Sequence, residues 1–291
     1  MMDEVIEQET IVWKGYLACF GNDSCLIQSP WILDGDCVFG ADSDHTTLTV
    51  AAIQLMQSKG CNLDSINSLQ DVEASIITLT TGVEVVQSSE DESVELSADW
   101  DLCIADDARV VICKTDSELE LELWQPEGTI EVDADFHQEI TAAWQRECAP
   151  NHVSQGAYIS KQQYYEGAAA RLTLMGQELD GEMIWPPRQM DNNGLAIPQA
   201  STSLHGVATI ESWTKLAPAG APSEFSFRAP ILGGITTVFV RFEQGPRGVF
   251  LLVDDEDNNP KIGDQVQFVT RRIYAQEAFI RYGLKCQIIK E

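Results

Sequence analysis

The chain has 291 residues, 44% of them apolar, and a net charge of −28, which is length and apolar content enough for two domains that each bury a core. No run approaches the roughly 18 to 20 uninterrupted apolar residues of a membrane-spanning helix. Met1 to Thr10 is acidic where a secretory leader is basic, so a soluble, cytoplasmic chain with no membrane partner is the expectation. The charge is lopsided: residues 1–150 carry 31 acidic side chains against 5 basic ones, and residues 151–291 carry 15 against 13. A field of that sign repels phosphate backbones and argues against nucleic acid as a partner.

Taken in order, Ile11 to Phe20 reads as a short strand entering a turn. Asp44 to Lys59 reads as a helix, with Leu48, Ala51, Ala52, Leu55 and Met56 on its apolar face, Asp44 as N-cap and Gly60 as C-cap. Ala74 to Leu79 and Leu102 to Cys113 read as strands rich in β-branched and apolar residues, separated by the acidic run Gln87 to Glu95. The first half is therefore α/β. From Ala134 to Met175 the spacing is helical, with Phe136, Ile140, Ala143 and Trp144 on one face, a break at Pro150 and a second helix over Gln163 to Leu174. The charge balance changes here, which places a domain boundary near residue 150. After Pro186-Pro187 and the loop Asp191 to Gly194 the pattern is all-β. Strands are expected at Gly206–Leu216, Ile235–Glu243, Gly248–Asp254, Gln265–Tyr274 and Ile280–Ile289, with a solvated turn at Asp254–Asp257. Five short strands in this span suit a small closed barrel, because closure removes the sheet edges.

The eight cysteines form no Cys-x-x-Cys pair, so they are expected to be buried, reduced thiols. Cys103 and Cys113 fall in apolar strand patterns, where a buried thiol is inert. The sequence holds no Gly-x-Ser-x-Gly elbow, P-loop, Gly-x-Gly-x-x-Gly turn or His-Glu-x-x-His helix. His45 falls in a helical first turn, His137 on a helix, and His152 and His205 in loops, positions that suit surface or capping roles. Asp106-Asp107 is an adjacency expected by chance among 46 acidic residues. No catalytic residue is assigned.

The ordered set Tyr164-Tyr165-Glu166-Gly167, Arg171-Leu172, Trp185-Pro186-Pro187-Arg188, Gly206 to Trp213, Ala229-Pro230 and Lys261-Ile262-Gly263-Asp264 resembles the zinc-ribbon plus OB-fold acyl-CoA-associated proteins, known as domain of unknown function 35. The resemblance covers about residues 160–291. It implies a helical arm with a ribbon over 151–205 and an OB-fold barrel over 206–291, following the α/β region of 1–150. Members normally hold zinc with two Cys-x-x-Cys pairs, yet Leu172 to Ser203 contains no cysteine, and Met175, Gln177, Met190 and Asp191 stand about where the thiolates belong. Thioether and amide groups are poor zinc ligands, so a vestigial, metal-free ribbon is expected. A second resemblance, to hydroxymethylglutaryl-CoA synthase of the thiolase superfamily, lies in Gly15-Tyr16-Leu17, Ala41-Asp42-Ser43-Asp44, Thr46 to Lys59 with Asn62-Leu63, and Leu102 to Val111. It implies a shortened thiolase-like half without the nucleophile loop; an unrelated acidic α/β domain is the other reading.

The scarce basic residues of the second half supply the candidate coenzyme A contacts: Trp185, Arg188, Arg241, Arg247, Lys261, Arg271 and Arg272. Guanidinium forks suit phosphates, and an aromatic surface covers an adenine. Solvated strand faces for the cations and core packing for Trp185 are the competing structural readings. The resemblance implies a non-catalytic subunit that docks on a thiolase-fold enzyme and shares acyl-CoA with it during carbon–carbon bond formation or acyl transfer. The alternative is a stand-alone OB module for an oligonucleotide or small ligand.

Overall fold

The computed structural model describes residues 10–21, 23–68, 72–87, 98–115, 127–152, 160–191, 193–196, 201–255 and 259–289. The acidic run beyond Gln87, and residues 256–258 of the turn expected after Asp254, lie outside them. The chain divides into two compact units, 1–134 and 135–291. It is mostly β, with several sheets and few helices.

In the first unit β1 (Thr10–Trp13) and β2 (Tyr16–Phe20) form a hairpin rather than one strand running into a turn. Lys14 and Gly15 both take positive φ, 52° and 83°, the two-residue turn whose twist matches paired strands. There follow β3 (Ser24–Gln28), β4 (Trp31–Leu33), β5 (Asp36–Cys37) and the helix α1 (His45–Ser58). Asp44 caps α1 as expected: its carboxylate accepts the Thr47 amide at 2.9 Å while Thr47 Oγ1 accepts the Asp44 amide at 2.9 Å, and Gly60 follows the last turn at φ 85°. Thr46 to Ile53, Leu55 and Met56 are all buried. Such a helix, covered nearly all round, is a core element.

Beyond β6 (Ser65–Ser68), the segment expected as a strand is instead the helix α2 (Ala74–Thr81). Its β-branched residues favour strands only weakly, and their context overrides them. Thr80 and Thr81 return their hydroxyls to the carbonyls of Ile76 and Ile77 at 2.7 Å, Gly82 at φ 77° closes the last turn, and Ile77 joins the core cluster of α1. After β7 (Glu84–Gln87), the single strand expected over Leu102 to Cys113 is a hairpin, β8 (Trp100–Ile104) and β9 (Arg109–Lys114), because Asp106-Asp107 turns the chain. The seven-stranded sheet runs β1-β2-β3-β9-β8-β6-β7, antiparallel except that β6 lies parallel to β7 and β8. β10 (Ile130–Glu131) completes a small sheet with β4 and β5. The core sits between α1 and one sheet face: Ala18, Cys25, Ile27, Leu102, Val110 and Ile112 against Leu48, Ala52 and Leu55.

The second unit opens with α3 (Ala134–Glu147), which places the division between units earlier than the change in charge balance near 150. The reason is packing: Glu147 pairs with Arg228 of this unit, and Trp144, one turn earlier, stacks with Arg228 and with Arg272. α4 (Lys161–Glu166), capped by Ser160, and α5 (Ala168–Leu172) occupy the second expected helix. Then β11 (Met175–Leu179), β12 (Glu182–Ile184) and β13 (Ser201–Ser203) form a three-stranded sheet with β11 central.

All five expected strands follow as β14 (Val207–Leu216), β15 (Ile235–Phe242), β16 (Arg247–Leu251), β17 (Gln265–Gln276) and β18 (Phe279–Ile288), in the order β16-β15-β14-β17-β18. The closed barrel is corrected on one point: among the described residues no ladder joins β16 to β18. An isolated parallel bridge, Leu252 to Cys286, and the Val253 amide bonded to the Cys286 carbonyl at 3.0 Å bring these two ends together. Alternation puts Val238, Val240 and Phe242 of β15 inside, with Phe250, Phe268 and Ile210.

Candidate functional site

The sequence-selected residues fall into separate groups, told apart by their partners. Trp185 lies half-buried at the end of β12, after which a cis Trp185–Pro186 peptide turns the chain. Its ring stacks on Phe250 (5.0 Å, 26°) and approaches Phe242 at 6.0 Å, so it joins the aromatic core of the large sheet. Gly248 makes room for it: a Cβ there would stand 2.9 Å from Trp185 and 2.6 Å from Phe250. Arg188 is exposed, and its amide donates to Gln177 Oε1 at 3.0 Å. Gln177 thus fastens the Pro-Pro-Arg segment to β11.

Arg241 and Arg247 are cross-strand partners on β15 and β16. Like charges directly opposite one another repel, and Glu211 relieves this by taking Arg241 at 3.0 Å and Arg247 at 2.7 and 3.3 Å. The Arg247 hydrogen bond, ahead of the charges of both arginines, holds the Glu211 carboxyl below the usual range. Both guanidiniums are about half exposed. Pairs this open to solvent contribute little to stability. Lys261 is exposed on the loop before β17, where its amide donates to Asp264 at 2.8 Å.

Arg271 and Arg272 belong to a third group, whose other members sequence reasoning missed. Arg228 is fully buried: its Nε reaches Glu147 at 2.8 Å, Nη1 reaches Asp254 at 3.3 Å, and Nη2 donates to the Ile273 carbonyl at 2.6 Å. Lys285 of β18 meets the same Asp254 at 2.8 Å, and Arg271 meets Asp255 at 3.4 Å. Arg228 and Arg272 both stack on Trp144, at 4.0 and 4.2 Å. Burial pushes the Glu147 carboxyl up against the opposing pull of Arg228. Guanidiniums do not give up protons, and the network locks α3 and the loop of Arg228 onto β17 and β18. Among the described residues no group of three or more His, Cys, Asp or Glu side chains is placed to hold a metal ion.

No protein-family model matches the chain, and no curated protein matches it. Among solved structures it is similar to the Ltp2-ChsH2(DUF35) aldolase, at 15% identity over 45% of this chain and 97% of that one, with a TM-score of 0.30. At that overlap the likeness carries no argument about chemistry.

The first unit supplies no activated nucleophile among the thiols whose ionisation is shifted. Burial pushes Cys25 to about 12, Cys37 to about 11 and Cys113 to about 11. All eight cysteines are free thiols, five of them buried. Cys103 departs from expectation: alternation along β8 turns it away from the core, and it is exposed. His45 bonds the Asp107 carbonyl at 2.9 Å from the first turn of α1, and His205 pairs with Glu243 at 2.7 Å on the surface. No described helix is long and apolar enough to cross a membrane.

Proposed function

We propose that the chain is a non-catalytic accessory subunit, in which the second unit docks on a thiolase-fold enzyme and helps to hold acyl-CoA. The observation that carries this reading is the segment around Trp185-Pro186-Pro187-Arg188. Trp185 anchors it in the sheet core, while Arg188 is exposed and Met190 and Leu195 are 60% and 67% exposed. Exposed apolar side chains beside an arginine on an anchored segment have the composition of an interface centre. The order β16-β15-β14-β17-β18, with a parallel contact between its ends, is read as an OB-type sheet that does not close through a continuous ladder. The cysteine-free ribbon is read as a metal-free fold held by β11, β12 and β13, and the first unit as a catalytically silent relative of a thiolase half. Arg241 and Arg247 are the phosphate contacts this reading favours, since their forks are about half exposed and share one partly buried carboxylate, Glu211.

The test is co-purification from the native host, followed by the variant Arg188→Ala with Leu195→Ser, which leaves Trp185 and its packing in place. A thiolase-fold protein recovered with the natural chain, and lost or weakened at least tenfold in affinity with the variant, is the expected result. A chain that elutes alone, or that binds single-stranded oligonucleotides in preference, overturns it.

A further inference from the structure

β14 is paired unequally on its two sides. β15 lies along Ala208–Leu216, whereas β17 reaches only Val207–Thr209. The loop before β17 takes over at Ile210, whose amide donates to the Asp264 carbonyl and whose carbonyl accepts the Gly263 amide, both at 2.9 Å. Past the bulge between Ile210 and Ser212, no strand or backbone bond among the described residues covers that side. Ser212 to Leu216 are all exposed, Trp213 to 44% and Leu216 to 36%. The result is a bare strand edge that carries a large aromatic side chain.

The ladder decides which backbone groups this edge offers, because successive residues of an antiparallel pair point their amides and carbonyls alternately into and out of it. Ile210 faces away from β15, so Val240 opposite it faces away from β14; Phe239 therefore bonds towards β14, where Ser212 stands opposite. Thr214 and Leu216 follow in step with Ser212, which leaves Trp213 and Lys215 with their backbone groups turned outward. The far end of the ladder agrees: the carbonyl of Thr236, opposite Lys215, accepts the Leu252 amide on the other side of β15 at 3.1 Å.

We propose that this edge pairs with the same edge of a second copy of the chain, the two β14 strands running antiparallel about a two-fold axis at Thr214. That register sets Trp213 against Lys215 of the other copy on both sides of the axis, and each such pair exchanges both of its outward hydrogen bonds. A lysine on a strand edge ordinarily deters pairing; here it meets an indole face, a favourable partner for an ammonium. The neighbouring registers are worse. One centred on Lys215 opposes the two lysines, and one centred on Trp213 spends Lys215 on the bulged Glu211, which already holds Arg241 and Arg247. A contact of one patch with itself closes at two copies.

Sedimentation equilibrium of the full chain over a dilution series should show monomer and dimer. Lys215→Pro removes an outward amide and leaves the β14–β15 bonds in place, so it should raise the dimer dissociation constant about tenfold or more. Trp213→Lys sets lysine against lysine and should do the same with the backbone untouched; it decides the matter if the proline variant unfolds in circular dichroism. Thr214 of each copy lies across the axis from itself as a non-hydrogen-bonded pair, with Cα atoms about 4.5 Å apart, within the span of a disulfide. Thr214→Cys treated with oxidised glutathione should therefore yield a chain-to-chain disulfide that peptide mapping places at position 214 in both copies. A chain that stays monomeric at every concentration overturns the proposal. So does a dimer that Trp213→Lys leaves at full strength, or a Thr214→Cys chain with no cross-link at that position. Neither Arg188, Leu195 nor any other protein enters these measurements, so their outcome stands apart from the functional proposal above.

Discussion

Replacing Arg228 by methionine keeps an unbranched side chain in the interior but removes every polar contact it makes. Glu147, fully buried, then loses its guanidinium partner at 2.8 Å, Asp254 keeps Lys285 at 2.8 Å, and the Ile273 carbonyl loses a donor at 2.6 Å. Removing one member of a buried ion pair costs about 3–5 kcal/mol, because the charge left behind has neither water nor a partner. Against a total stability of roughly 5–15 kcal/mol for a domain, that loss is large. The decisive comparison is the double variant Glu147→Gln with Arg228→Met, which also removes the stranded charge. It should be more stable than Arg228→Met alone by about 2 kcal/mol, a coupling expected of side chains in direct contact. Urea unfolding followed by circular dichroism, with proteolysis mapping which unit opens first, measures both. If Arg228→Met lies within about 1 kcal/mol of the natural chain, or if the double variant shows the sum of the two single losses, the network is not the keystone argued here.

Two further predictions address the packing of Trp185 and the buried thiols. Gly248→Ala places a Cβ within 2.6 Å of Phe250 and 2.9 Å of Trp185; it should cost about 1–3 kcal/mol and red-shift tryptophan emission as Trp185 is displaced, and an unchanged spectrum with unchanged stability would contradict the stacking. Burial raises the Cys25 thiol to about 12 from an ordinary value of 9.0, so above pH 9 the unfolded chain releases a proton that the folded chain keeps. Stability should therefore fall as pH rises from about 9 towards 12, by about 1.4 kcal/mol per pH unit from this thiol; Cys25→Ala should flatten the slope by that amount, and equal slopes would refute the assignment.

Much of the second unit was legible because its signals are local. Alternation along Ile235–Phe242 survives in the structure, and the five strands after residue 205 stand where β-branched runs placed them. Asp44 and Gly60 bracket α1 for the same reason, since a cap depends on a few neighbouring residues. The failures are cases where a non-local partner or a short turn decides. Ala74–Thr81 has the composition of a strand and folds as a helix because its apolar side packs with α1 and Gly82 supplies the stop. The Lys14-Gly15 turn and the Asp106-Asp107 break divide segments that alternation alone reads as continuous. Nothing in a strand pattern shows whether the ends of a sheet meet, and here they meet through one bridge at Cys286.

Scarcity of basic residues in the sequence singles out Arg188, Arg241, Arg247, Lys261, Arg271 and Arg272, and the fold buries one of these, Arg271, together with Arg228, Arg281 and Lys285, which scarcity alone does not single out. A chain with 46 acidic and 18 basic side chains needs no cations for solubility, but any carboxylate drawn into its interior needs one to offset desolvation. Glu147 on α3, and Asp254 and Asp255 after β16, create that demand, and the cations of β17, β18 and the Arg228 loop meet it. Position within a strand does not by itself separate the buried cations from the exposed ones: Arg281 and Lys285 are buried between apolar neighbours in β18, yet Arg241 stands between Val240 and Phe242 in β15 and is about half exposed. What distinguishes them is the carboxylate each meets, Asp254 for the buried Lys285 and Glu211 for the half-exposed Arg241, and that pairing is not local in sequence.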